Sequence, residues 1–209
     1  MTFNLDFFLI FRVFDNVGLV HINNIGTVLA TISNKHYTDV RSQGQRVYAL
    51  PVSKNSKKIE IFHHNNAKWL LNTTVVVQPG VTRINIGYNW LFTTNMRATN
   101  GQTFVTKYDV SQPTTGATTD KYAQFPQTNI EFSANANPQI CAADPHGNAI
   151  VADAKNECLV LLDRMNMQVP IRIKGRFKPN DVVMESAKTM LMLVESENAI
   201  ARLIYLRRV

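Results

Sequence analysis

Apolar residues in this chain fall in short runs separated by polar and turn-forming residues. Examples are "FFLIFRV" at 7–13, "RVYALPV" at 46–52, "VTRINIG" at 81–87 and "NAIVADA" at 148–154. Runs of this length, bounded by Gly, Pro, Asn and Asp, predict buried β-strands. Only 181–206 has the propensity of a helix. Its apolar positions cluster as "VVM", "MLMLV" and "LIYL", and Pro170 and Pro179 punctuate the approach to it, so strands are expected there too.

The runs come in sets. Residues 27–64 carry "TVLATI", "YTDVRS", "RVYALPV" and "KIEIF"; residues 72–110 carry "NTTVVV", "VTRINIG", "WLFTTN" and "FVTKYDV". Residues 128–163 carry "TNIEFS", "PQICAAD", "NAIVADA" and "CLVLLD", and 169–207 carry "VPIRIKG", "NDVVMES", "MLMLVES" and "ARLIYLR". Four short strands repeated roughly every 40–50 residues are the pattern of β-propeller blades. The middle strands agree: "ICAA", "AIVA" and "MLMLV" are apolar on both faces, as strands sandwiched between neighbouring sheets must be. The expected fold is all-β and β-propeller-like, with about four four-stranded blades in one domain. The units run 1–26 (partial), 27–69, 70–127, 128–167 and 168–209. The Thr-, Gln- and Pro-rich stretch 111–127 is a surface loop inserted in the third of these. "FFLIFRV" and "GLVHINN" form an N-terminal strand pair, the third and fourth strands of a blade whose other half another chain would supply. Its exposed edge suits strand addition by a protein partner or by self-association.

One set carries more than rhythm. In 138–163, "PQICAADPHGNAIVADAKNECLVLLD", the residues Pro138, Asp144, Gly147, Val151, Ala152, Asp153, Asn156 and Asp163 stand at the places of an NHL-type repeat. The segment resembles one blade of that propeller family, and the resemblance implies fold far more than function. Asp144–Gly147 and Asp153–Asn156 then become turns between strands, with His146 at a loop tip. Cys141 and Cys158 fall on the second and fourth strands. Two inter-strand spacings of about 4.8 Å put their Cα atoms about 9–10 Å apart, too far for a disulfide, so two free thiols are expected.

Candidate chemistry is thin. His63 and His64 follow "KIEIF" as turn residues and, being adjacent, would face opposite ways in a strand; His21 and His36 are isolated. No Gly-x-Ser-x-Gly elbow and no phosphate-cradling Gly-rich loop occurs. Propeller hydrolases and lyases related to the NHL type hold a metal in the central channel. Asp39, Asn85 and Asp181 are the positions such a site would use here. In "IRIKGRFKPN", Arg172, Lys174, Arg176 and Lys178 recur at period two and form one basic strand face; Arg207 and Arg208 add charge at the C-terminus.

The formal net charge of +7 is compatible with an anionic partner such as nucleic acid. No 18-residue apolar run exists, and the N-terminus, with Asp6, Arg12 and Asp15, makes a poor signal peptide. The expected place is therefore a virion or the cytoplasm, with no membrane span. With no catalytic constellation, cofactor site or small-molecule substrate evident, the leading expectation is a non-enzymatic scaffold in a larger assembly, such as a virion or phage-tail component. The alternatives are an RNA-binding propeller using the basic face, and a channel-centred metal-dependent hydrolase or lyase.

Overall fold

The computed structural model describes residues 7–13, 16–22, 25, 27–52, 58–65, 68–97, 100–111, 122–144, 146–171, 179–184, 190–197 and 200–207. All of the regular structure in them is β, the described parts of 181–206 included. The first sheet is β1 (Phe7–Val13), β2 (Asn16–Ile22) and β3 (Val28–Ser33), in that order. The second is β4 (Tyr37–Gln43), β5 (Arg46–Pro51), β6 (Lys58–Asn65) and β7 (Lys68–Val76). The third sheet contains β8 (Val81–Gly87), β9 (Trp90–Met96) and β10 (Thr103–Asp109). The two-residue β11 (Tyr122–Ala123) joins the outer side of β7 in parallel, and β12 (Gln127–Glu131) completes the third sheet beside β10. The fourth is β13 (Pro138–Ala143), β14 (Ala149–Asp153), β15 (Cys158–Leu162) and β16 (Gln168–Ile171). The last is β17 (Pro179–Met184), β18 (Met190–Glu197) and β19 (Ile200–Arg207).

The strands are those expected, but their grouping is shifted by one. "TVLATI", "NTTVVV", "TNIEFS" and "VPIRIKG" each close the sheet before them instead of opening a new one. The reason lies in pairing. The short link 34–36 resembles a hairpin turn, yet it is tied to the end of β5, where the Val52 amide donates to His36 O at 2.9 Å, and β4 pairs with β5. The closing strands are also the least buried: β12 and β16 each have most positions exposed. The N-terminal pair is consequently joined by β3 into a three-stranded sheet. The insertion is not loop throughout, because Tyr122 and Ala123 pair with Thr74 and Val75 and cover an outer edge.

The chain divides into two compact units, residues 1–84 with 112–125 and residues 85–111 with 126–209. In the first, Leu19, Tyr37, Val47, Ala49 and Phe62 pack into a core against Ile32, Val40 and Trp69. In the second, Phe92, Val105, Ile140, Val151, Val160 and Leu162 are among the residues of the main cluster. Every residue of β14 is buried, as expected for a strand covered on both faces. Each large side chain so buried contributes about 1.5–3 kcal/mol.

Polar contacts join the third and fourth sheets. Thr94 Oγ1 accepts from the Ile140 amide at 2.8 Å, and Asn85 Nδ2 donates to Cys141 O at 2.6 Å. Lys107, 4% exposed, donates to Gly147 O at 3.0 Å and Arg164 O at 2.9 Å, with its ammonium 4.2 Å from the Trp90 ring centroid. Burial pushes the lysine below its ordinary pKa, while Asp163, Asp109 and Asp144 oppose that shift. Gly87 is required here because a Cβ would lie 2.2 Å from Asp144 O.

Candidate functional site

The most concentrated chemistry lies in the first unit, where β3 gives way to β4. Ser33 ends β3, Lys35 lies in the link and Tyr37 begins β4. Across the sheet, Glu60 stands in β6, a middle strand flanked by β5 and β7. Alternation in "KIEIF" would send Glu60 to a polar face. Both faces are covered, however, and Glu60 is only 9% exposed. A carboxylate so placed needs partners. Lys35 Nζ donates to Oε1 at 2.6 Å and the Tyr37 hydroxyl to Oε2 at 2.7 Å.

Counting protons gives the network a direction. Ionised Glu60 can only accept, so the single phenolic proton of Tyr37 goes to it. The Ser33 and Tyr37 oxygens are 2.8 Å apart, so the Ser33 hydroxyl must be the donor between them. The Lys35 amide in turn donates to Ser33 Oγ at 3.3 Å. The result is a one-way path from Ser33 through Tyr37 to Glu60. Burial, with the Glu60 carboxylate adding to it against the opposing bond to Ser33, holds the Tyr37 phenol protonated well above the ordinary tyrosine range. Ser33 is half-buried and Lys35 exposed, so the path opens to solvent at one end. Three residues within five positions and a distant glutamate form it, which motif spacing does not flag.

Two of the three positions considered for a channel metal, Asp39 and Asn85, have other duties. Asp39 follows a bulge in β4 at Thr38; its Oδ1 accepts from Arg41 Nη1 at 2.8 Å and the Val40 amide at 2.9 Å, and its Oδ2 from the Ile84 amide at 2.9 Å. Burial raises its carboxyl above the ordinary value, against the pull of Arg41, these amides and Arg83. Asn85 spends its oxygen on the Ile86 amide and its nitrogen on Cys141 O. Asp181 lies on β17, next to a bulge at Asn180. Among the described residues, no group of three or more His, Cys, Asp or Glu is placed to hold a metal ion.

Arg172, Lys174, Arg176, Lys178 and Arg208 lie outside the described residues, and Arg207 ends β19. His63 and His64 are not turn residues; both belong to β6, opposite Leu70 and Trp69. Nor is His21 isolated, since its ring lies 6.3 Å from that of His64 and 5.6 Å from that of Trp69, which donates to its Nδ1 at 3.4 Å. The aspartates of 138–163 do form turns. Asp144 accepts from the His146 and Asn148 amides, Asp153 from those of Asn137 and Asn156, and Asp163 from those of Met165 and Met167. His146 is exposed. Cys141 and Cys158 are buried, on β13 and β15 with β14 between, and form no disulfide. Among the described residues no helix is long and apolar enough to cross a membrane.

The sheets and their order define an all-β, β-propeller-like protein, and solved structures agree. The chain is similar to a protein from Bacteroides fragilis provisionally named as a 6-phosphogluconolactonase, with a TM-score of 0.57 and 10% identity, over 97% of this chain and 67% of that one. It is also similar to a functionally unknown protein from Desulfotomaculum acetoxidans, with a TM-score of 0.55 and 10% identity, over 90% of this chain and 61% of that one. No family model and no curated protein matches the chain. Identity this low carries the fold alone. The expectation of a non-enzymatic scaffold in a virion or phage tail nevertheless falls, because the named neighbour is an enzyme-like propeller and nothing in the likeness leads to a virion.

Proposed function

We propose that the protein is a hydrolase of small esters or lactones, with Ser33 as nucleophile and the Tyr37–Glu60 pair as its proton acceptor. The observation that carries this reading is the directed hydrogen-bond path from a half-buried hydroxyl to a buried carboxylate. The fold likeness to a protein named as a lactonase adds support of a coarser kind.

In the proposed reaction Ser33 Oγ attacks the substrate carbonyl. Its proton passes to the Tyr37 oxygen while the Tyr37 proton passes to Glu60 Oε2, so no phenolate is formed. The tetrahedral intermediate expels the alcohol, which takes a proton back along the same path. Water then attacks the acyl-serine, giving its proton to Glu60 through Tyr37. As the second tetrahedral intermediate collapses to the acid, Ser33 Oγ leaves and takes that proton back from Glu60 through Tyr37, which restores the resting hydroxyl and carboxylate. Lys35 Nζ, 2.6 Å from Glu60 Oε1, holds that carboxylate in position.

The test is hydrolysis of a panel of aryl esters and five- and six-membered lactones by the purified chain. Ser33→Ala and Glu60→Gln should each lower the rate by about 10²-fold or more. Unchanged rates in both would remove Ser33 and Glu60 from the reaction.

A further inference from the structure

In the second unit, three turns at the same end of the third and fourth sheets border an open cavity of about 680 Å³. They are the β9–β10 turn, the β12–β13 link and the β14–β15 turn, and the residues lining the cavity include Asn100, Gln102, Thr103, Asn137 and Lys155 over Ala134, Ala136 and Ala154. The size suits a small molecule.

The walls are held in place by bonds between the turns. Gln102 Nε2 donates to Phe132 O at 3.3 Å, and Thr103 Oγ1 to Asn137 Oδ1 at 3.5 Å. The Asn137 amide donates to Asp153 Oδ1 at 3.0 Å; Asp153 is 2% exposed and also holds the Asn156 amide. The Asn100 side chain caps its own turn by accepting from the Gln102 amide at 3.0 Å. A cradle fastened this way loses little freedom when a ligand enters.

The chemistry of the lining selects a class. With its Oδ1 facing Thr103, Asn137 directs Nδ2 donors elsewhere, and Lys155 adds an exposed ammonium. No carboxylate is among the residues lining the cavity and Lys155 is the charged one among them, so the charge presented to a ligand is positive. The alanines offer methyl groups to C–H faces, while no aromatic ring is present for the stacking that extended neutral sugars use. We infer that this cavity binds a small anionic polyol, its acid group on Lys155 and its hydroxyls on the side-chain amides. The inference does not rest on the Ser33 path, which lies in the other unit.

Isothermal titration of the full chain with gluconate, glucose 6-phosphate, glucose and inorganic phosphate tests it. At least one of the two acid sugars should bind more tightly than both glucose and phosphate, and which one identifies the acid group as carboxylate or phosphate. Lys155→Met should weaken that binding about tenfold or more, as expected for a lost charged hydrogen bond, and Asn137→Ala should weaken it too. Lys155 is exposed on a turn, so its replacement leaves the fold in place. No binding of either acid sugar at about 10 mM, where even a millimolar Kd would register, overturns the site. Binding that Lys155→Met leaves unchanged overturns it as well, and glucose binding as tightly as the tighter of the two acid sugars overturns the anionic class. Ester hydrolysis by the same Lys155→Met protein should equal that of the unaltered chain, which separates failure here from failure of the hydrolase reading.

Discussion

Lys107 is the sharpest place to perturb the second unit. Replacing it with Met keeps most of the aliphatic stem but removes the ammonium that reaches Gly147 O and Arg164 O and faces Trp90. Each bond from a charged donor contributes about 1.5–3 kcal/mol, and a desolvated cation–π contact about 2 kcal/mol. Against these stands the desolvation of a lysine only 4% exposed, itself several kcal/mol, which Met avoids. Met leaves two carbonyls that have lost a donor, at about 1–3 kcal/mol for each that water cannot reach. The net expectation is a loss of about 2–4 kcal/mol. Urea unfolding followed by Trp fluorescence measures it, and hydrogen exchange at the 144–148 and 163–167 turns locates it. A loss under about 0.5 kcal/mol would show that ion desolvation cancels the contacts and that Lys107 does not hold the two sheets together.

Gly87→Ala places a Cβ against backbone that cannot move aside, Asp144 O at 2.2 Å, and should cost about 3 kcal/mol in the same unfolding assay. Asp39 has a carboxyl raised by burial, so its stabilising effect is full below the unfolded value of about 3.9 and is lost as pH rises through the higher folded value. The stability of the unaltered chain relative to Asp39→Asn should therefore fall with rising pH across that window, and a pH-independent difference would refute the assignment. Alkylation under native conditions should spare both buried thiols, and after denaturation without reductant both Cys141 and Cys158 should be modified.

The strands were legible because burial on both faces leaves unbroken apolar runs, and the turns of 138–163 because Asp, Gly and Asn have fixed uses there. Which strand pairs with which was not legible, since a three-residue link between sheets looks like a hairpin until its hydrogen bonds are seen. The Ser33 path was hidden for another reason. Glu60 in "KIEIF" fits the alternation of a half-exposed strand, and only the covering of its second face makes the carboxylate require Lys35 and Tyr37. Lys107 in "FVTKYDV" is the same case with the opposite charge. A charged residue in a middle strand of a blade is thus the signal that was available: it must be met by a partner, and the partner is where chemistry should be sought.

Tyr37 is the link on which the hydrolase reading depends most directly. Tyr37→Phe keeps the ring that packs edge-on against Phe62 and deletes only the oxygen between Ser33 and Glu60. The measurement is kcat/KM for the best ester or lactone substrate, with folding verified by circular dichroism. The path predicts a fall of about 10²-fold carried mainly by kcat. A Tyr37→Phe protein that hydrolyses the substrate at the unaltered rate would contradict it, as would an unaltered chain that hydrolyses no ester or lactone faster than water alone.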